Sequence, residues 1–181
     1  ENGKMKIGKV QIGEASDHKF GWLTMRDIIA KSSNIGAIKI AQQVGKKPFY
    51  DYIRKFGFGE KSGLSLPGES AGQLKSQENW DAMSLASISF GHEIAVTPIQ
   101  MVSALSAIAN GGNLMAPHIT RALIKNGEVM EEFKPKKIRR VISEKTSRQL
   151  VEVLKSVVKT GTGKKAAIEG FDVAGKTGTA Q

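Results

Sequence analysis

Two short clusters hold the residues best suited to chemistry: Ser32-Ser33-Asn34, and far downstream Lys176-Thr177-Gly178-Thr179. The first offers two hydroxyls and a carboxamide, the second an ammonium and two hydroxyls around a glycine. Such groups suit active-serine acyl transfer, in which a basic group takes the proton of an attacking hydroxyl and fixed donors hold the oxyanion. Each tripeptide alone is weak, because Asn34 would serve equally well to cap a helix that follows it.

In one class of active-serine site the serine of a Ser-x-x-Lys opens a buried helix, so that the lysine lies one turn further on. The pattern occurs at Ser16-Asp17-His18-Lys19 and at Ser156-Val157-Val158-Lys159. The first lies in a polar stretch with no apolar helix after it, and the second falls late in an amphipathic helix. Both read as ordinary surface residues, and no nucleophile is assigned in this chain.

Gly170-Phe171-Asp172-Val173-Ala174-Gly175-Lys176-Thr177 spells a phosphate-loop pattern. A phosphate cradle needs a helix opening at its lysine, and Gly178 stands where that helix would begin. The nucleotide reading is therefore set aside, and no cofactor is expected. His18, His92 and His118 are too scattered for a metal motif, so no metal site is expected either. Met25, Met83 and Met101 read as core filling.

The elements that must position these clusters follow from local signals. Thr24 caps a helix carrying Met25, Ile28 and Ile29, the polar Ser32-Ser33-Asn34 breaks it, and Ile35, Ile38, Ile40 and Ala41 continue an apolar stripe to Gly45. A short helix covers Pro48 to Phe56, closed by Gly57. Residues Gly57 to Trp80 read as an irregular surface excursion. A helical piece spans Asp81 to Ile88, and the clearest helix starts at Thr97-Pro98 with Ile99, Val102, Leu105 and Ile108 as its buried stripe. Asn126-Gly127 turns a hairpin between Ile119 to Ile124 and Val129 to Phe133. A last helix runs from about Ser143 to Lys159, burying Leu150, Leu154, Val157 and Val158. Gly161-Thr162-Gly163 is a loop, and Phe171 to Ala174 reads as a strand leading into Lys176. Helices first and strands later, without β-α alternation, give an α+β class.

With 181 residues, 40% hydrophobic and 24% charged, the chain is sized for one globular unit. It has no cysteine, which excludes thiolate metal sites and a cysteine nucleophile. No run approaches the roughly 20 apolar residues that span a bilayer. The net charge of +10 favours an anionic neighbour such as nucleic acid, lipid or an acidic polymer. The densest basic stretch, Lys134 to Arg140, lacks interleaved stacking aromatics, so nucleic acid is not expected as a partner.

Over almost its whole length the sequence resembles the class B penicillin-binding proteins. The resemblance rests on Gly21-Trp22-Leu23-Thr24 leading to Lys31-Ser32-Ser33-Asn34-Ile35-Gly36, and on Phe56-Gly57-Phe58-Gly59 and Leu66-Pro67-Gly68-Glu69. It continues through Ser89-Phe90-Gly91-His92, Thr97-Pro98-Ile99-Gln100, Ala109-Asn110-Gly111-Gly112 and Gly161-Thr162-Gly163, and closes on Val173 to Gln181. It implies the serine β-lactamase/DD-transpeptidase fold, an antiparallel sheet flanked by helices with a mainly helical subdomain, incomplete in this chain. Residues 1–181 would be part of one transpeptidase domain, with the second and third motifs present and the nucleophile segment absent.

The implied activity is cross-linking of peptidoglycan stem peptides by acyl transfer from D-Ala-D-Ala, with β-lactams at the same site. By the same resemblance Ser32 relays a proton toward the leaving amine, Asn34 meets the donor peptide and the catalytic lysine, and Lys176 adds positive charge and a hydrogen bond to Ser32. Thr177 and Thr179 present hydroxyls to the substrate's terminal carboxylate, and Gly178 lets the substrate lie along the strand edge. The Thr179 N–H forms half of an oxyanion hole. Without its nucleophile this chain alone is expected to be inactive, and its Lys176 strand to lack a neighbour. The implied setting is the outer side of the cell membrane, through an N-terminal anchor not in this chain, beside a membrane-embedded glycan polymerase and division or elongation proteins. A catalytically silent peptidoglycan- or divisome-binding module, or a β-lactam-sensing or hydrolysing relative, is the alternative.

Overall fold

The computed structural model describes residues 2–64 and 66–178. Among them the chain forms β1 (Lys4–Ile7), β2 (Val10–Gly13), α1 (Met25–Lys31), α2 (Asn34–Val44), α3 (Lys46–Lys55), β3 (Gln73–Leu74), α4 (Ala82–Ser89), β4 (Ile94–Ala95), α5 (Pro98–Ala109), β5 (Asn113–Met115), β6 (Ala122–Lys125), β7 (Glu128–Glu132), β8 (Lys137–Arg140) and α6 (Glu144–Lys159). The class is α+β. The antiparallel ladders are two-stranded: β1 with β2, β5 with β8, and β6 with β7. The chain divides into two compact units, one of Glu1–Tyr50, Lys75–Ile94 and Arg148–Gln181, the other of Asp51–Leu74 and Ala95–Ser147.

In the first unit, local chemistry sets the helix ends. Thr24 and Asp27 form a reciprocal capping box at α1, satisfying two N–H groups that the first turn leaves open. Asp81 caps α4 with its side chain alone, accepting from the Ser84 N–H at 2.7 Å. The core joins Ile38 of α2, Ala86 of α4 and Ile7 of β1, with Met5, Ile12, Met83 and Phe90 packed around them. Ile38 is fully buried, which stabilises the unit by about 1.5–3 kcal/mol. Trp80 is buried against the edges of Phe49 and Tyr50, and its indole N–H donates to the Lys75 carbonyl. The segment from Gly57 to Trp80 is mostly irregular, as expected, apart from the two-residue β3 and a single helical turn at Gln77–Asn79, and its last residue is buried rather than on the surface.

The β1–β2 hairpin was not anticipated from the sequence. Ile7 pairs with Val10 across the two-residue turn Gly8-Lys9, and Gly8 takes the positive φ of 57° that such a turn requires.

In the second unit, α5 begins at the Thr97 and Gln100 capping box with Pro98 at its first position. Its buried face differs from the stripe expected. Gln100, Ala104 and Ala107 are buried, whereas Val102 and Leu105 are exposed. The helix is apolar on nearly every side, so periodicity could not choose a face. Packing selects the one whose small side chains allow close approach and whose Gln100 amide donates to the Glu60 and Ala71 carbonyls. Met25 and Met101 are likewise exposed, and of the three methionines expected as core filling Met83 alone packs beside the core cluster. The β6–β7 hairpin turns at Asn126-Gly127, both at positive φ, as the sequence requires. No helix among the described residues is long and apolar enough to cross a membrane.

Candidate active site

Helix α1 ends in a left-handed residue. Ser32 has φ 56° and ψ 45°, and the Ser33 N–H returns to the Ile28 carbonyl at 3.0 Å, closing α1 with a Schellman-type turn. Ser33 then caps α2, its Oγ accepting from the Gly36 N–H at 2.9 Å. The helical residue Asn34 is therefore the start of α2 and not its cap. Two helices thus meet at a corner of two residues, which turns the Ser32 side chain toward the downstream cluster.

There the Lys176 ammonium donates to Ser32 Oγ at 2.8 Å and to the Thr177 carbonyl at 2.9 Å. Thr177 Oγ1 lies 2.8 Å from Thr162 Oγ1, and the Thr162 N–H donates to the Ala30 carbonyl at 3.0 Å. The path from Ala30 through Thr162, Thr177 and Lys176 to Ser32 leaves α1 and returns to its end two residues later. Gly161 makes this possible, because a Cβ there would collide with the Ala30 carbonyl.

The segment Phe171 to Gly178 is irregular, and not the strand expected from its sequence. A strand needs a ladder partner, and none among the described residues pairs with it. It is held instead by α6. Asp172 bridges Lys155 at 3.2 Å and Lys159 at 3.1 Å, and the Gly175 N–H donates to the Leu154 carbonyl. Hydrogen bonds from those two lysines hold the Asp172 carboxyl below the usual carboxylate range. Lys176, Thr177 and Gly178 have no regular secondary structure.

Ser32, Lys176 and Thr177 line a cavity of about 830 Å³ with Ser33, Asn34, Gly178 and an apolar floor of Ile28, Ile29, Ala37, Ile40 and Phe49. Its far wall runs from Ser89 to Ile94, where the Phe90 and His92 rings lie 4.9 Å apart. Glu93, at φ 54°, accepts from the Lys75 ammonium at 2.7 Å and from Ser84 Oγ at 3.2 Å. Loss of hydration in the cavity pushes the Lys176 ammonium below the usual lysine range, although much of the side chain still meets solvent.

The structure thus brings Ser32, Asn34, Lys176, Thr177 and Gly178 to one cavity; Thr179 lies outside the described residues. Neither Ser-x-x-Lys joins them. Ser16 sits in a tight turn at φ 54° with no helix after it, and Ser156 lies inside α6, donating to the Val153 carbonyl at 2.6 Å. No group of three metal-ligating side chains occurs among the described residues.

Sequence reasoning missed Glu14. Buried at the end of β2, it accepts from Ser33 Oγ at 2.5 Å and from the Asn34 N–H at 2.6 Å. A single acid 19 residues from its partner carries no local signal.

Comparison with known proteins places this geometry. The penicillin binding protein transpeptidase domain model matches residues 1–181. The sequence is 38% identical to the penicillin-binding protein PbpB of Mycolicibacterium smegmatis over 99% of this chain, and 40% identical to the stage V sporulation protein D of Bacillus subtilis over 89%. It spans 29% and 25% of those two proteins. Its fold overlays the apo crystal structure of penicillin-binding protein 3 from Mycobacterium tuberculosis with a TM-score of 0.91 and 36% identity, covering 99% of this chain and 42% of that one. The same Mycobacterium protein has been solved in complex with aztreonam and with ampicillin. With a family model that matches residues 1–181 and relatives 38% and 40% identical over most of its length, the chain belongs to the transpeptidase domain family of the class B penicillin-binding proteins.

Proposed function

We propose that this chain supplies two walls of a D,D-transpeptidase site that cross-links peptidoglycan stem peptides and is acylated there by β-lactams. The observation that carries the reading is the 2.8 Å bond from Lys176 Nζ to Ser32 Oγ, which joins groups 144 positions apart inside a cavity large enough for a peptide end. In the reaction a serine Oγ attacks the penultimate D-Ala carbonyl. The peptide C–N bond breaks, the terminal D-Ala leaves as an amine with the proton, and the acyl group passes to an acceptor amine. Ser32 carries the proton toward the leaving nitrogen, and Lys176 keeps the Ser32 lone pairs oriented while adding positive charge beside the substrate carboxylate.

Asn34 faces the donor peptide, Thr177 and Thr179 offer hydroxyls to its terminal carboxylate, and Gly178 leaves room for the substrate backbone. Residues 1–181 act as part of one transpeptidase domain. The attacking serine belongs to a residue outside this sequence, because neither Ser-x-x-Lys within it reaches the cavity. The whole protein works at the outer face of the cell membrane through an anchor beyond this segment, with a membrane-embedded glycan polymerase and division or elongation proteins as partners.

The test is covalent labelling of the full-length protein with a fluorescent penicillin. Labelling should be saturable, and Ser32→Ala or Lys176→Ala should slow it by about 100-fold or more, in line with loss of a proton relay. The isolated 181-residue polypeptide should not label. A covalent adduct on it would move the nucleophile into this sequence and overturn that assignment. A folded full-length protein that binds peptidoglycan without labelling would be the silent binding module instead.

A further inference from the structure

Among the described residues Glu14 is the one buried acid in direct contact with the Ser32-Ser33-Asn34 corner, and none of the steps above uses it. Its two oxygens divide the work. Oε1 accepts the Ser33 hydroxyl at 2.5 Å, and Oε2 accepts the Asn34 backbone N–H at 2.6 Å. Because Ser33 Oγ already accepts from the Gly36 N–H, its own proton needs an acceptor in the interior, and Glu14 provides it. The Asn34 N–H belongs to the first turn of α2, where a carboxyl oxygen is favoured by the helix dipole.

The neighbouring residue completes the clamp. Gly13 presents its carbonyl to Asn34 Nδ2 at 3.0 Å, which fixes the side-chain amide and turns its oxygen away from β2. The Glu14 N–H donates to the Gly3 carbonyl at 3.0 Å, so the clamp is mounted on the β1–β2 hairpin. Ser32 precedes the clamped pair and sits in a backbone conformation unfavourable for serine, which persists only while its surroundings hold it there.

We infer that Glu14 is a positioning residue for the acylation step, setting the Asn34 amide and the Ser32 hydroxyl through their shared backbone. The inference rests on the transpeptidase reading above. Replacing the carboxyl by a carboxamide leaves one oxygen for two donors and sets an NH₂ against the other, so the corner must shift. A displacement of around 1 Å at a reacting group costs up to about 100-fold in rate.

The experiment is a time course of fluorescent-penicillin labelling on the full-length protein, separating the acylation rate constant from the fraction of molecules that label. Glu14→Gln should lower the rate constant about 10- to 100-fold while the labelled fraction stays near that of the parent. A parental rate constant, or a loss confined to the labelled fraction, would show that Glu14 supports folding only and would overturn the inference. If Glu14→Gln yields no folded protein, Ser33→Ala decides. It removes the hydroxyl that Glu14 holds and should slow acylation several-fold, and an unchanged rate constant would overturn the inference equally. Absence of labelling in the parent protein would instead count against the transpeptidase reading, which separates the two failures.

Discussion

The Thr162 and Thr177 hydroxyls lie 2.8 Å apart, so the Gly161-Thr162-Gly163 loop touches the cluster of Ser32, Lys176 and Thr177 directly while its backbone is bonded to Ala30 of α1. Thr162 therefore joins the elements carrying the two motifs through one side chain and one N–H.

Thr162→Val keeps the volume and the backbone bond and removes only the hydroxyl. The expected outcome is a stability change of no more than about 1 kcal/mol, as for a single exposed hydrogen bond, with acylation of the full-length protein slowed by about 3- to 30-fold. Thermal unfolding alongside penicillin-labelling rates checks both. Equal rates in the two proteins would reduce the Thr162–Thr177 contact to a bystander.

Lys176 provides a pH dependence whose sign follows from burial. Desolvation lowers its pKa, so the ammonium loses its proton at a lower pH than an ordinary lysine near 10.4. Acylation that needs this charge should fall on the alkaline side at a pH below that value. Arginine stays protonated throughout this range, so Lys176→Arg should move the alkaline limb to higher pH, with a lower plateau because the fork does not replace a point donor to Ser32 Oγ. The check is the pH profile of the acylation rate constant in both proteins, and superimposable alkaline limbs would assign the titration to another group.

Gly36 lies where α1 meets α2, and a Cβ at that position would come within 2.7 Å of Ile28 Cγ1 and Cγ2. Alanine normally strengthens a helix interior by about 0.5–1 kcal/mol over glycine, but overpacking costs about 1–3 kcal/mol. Gly36→Ala should therefore destabilise the protein by about 1–2 kcal/mol net, read as a lower denaturant midpoint. A gain in stability would mean that Ile28 can move aside freely.

What could be read from the sequence was what is decided within a few residues. Thr24 with Asp27, Thr97-Pro98 with Gln100, and Asn126-Gly127 each contain both halves of their own hydrogen-bonded or steric device. The pairing of Ser32 with Lys176 was reached through motif resemblance, since no local rule connects positions 144 apart. The buried face of α5 was misassigned because Val102 and Leu105 are as apolar as the side that packs. The strand expected at Phe171 failed for a related reason: a ladder is a property of two segments, and β-type residues in one cannot create the other. Glu14 shows the same limit at the site itself, where an acid becomes significant only once β2 is laid beside the start of α2.

The left-handed Ser32 sets stability and activity against each other at a single position. A non-glycine residue held in that conformation costs about 1 kcal/mol, and glycine would occupy it at no steric cost. Ser32→Gly should therefore leave a protein at least as resistant to unfolding as the parent, yet one without the hydroxyl that Lys176 holds. Ser32→Ala, which keeps the strain, should be no more stable than the parent and equally slow. Selection for a sturdier fold alone would not keep a serine here, and calorimetry of the two variants measures the cost of its backbone directly.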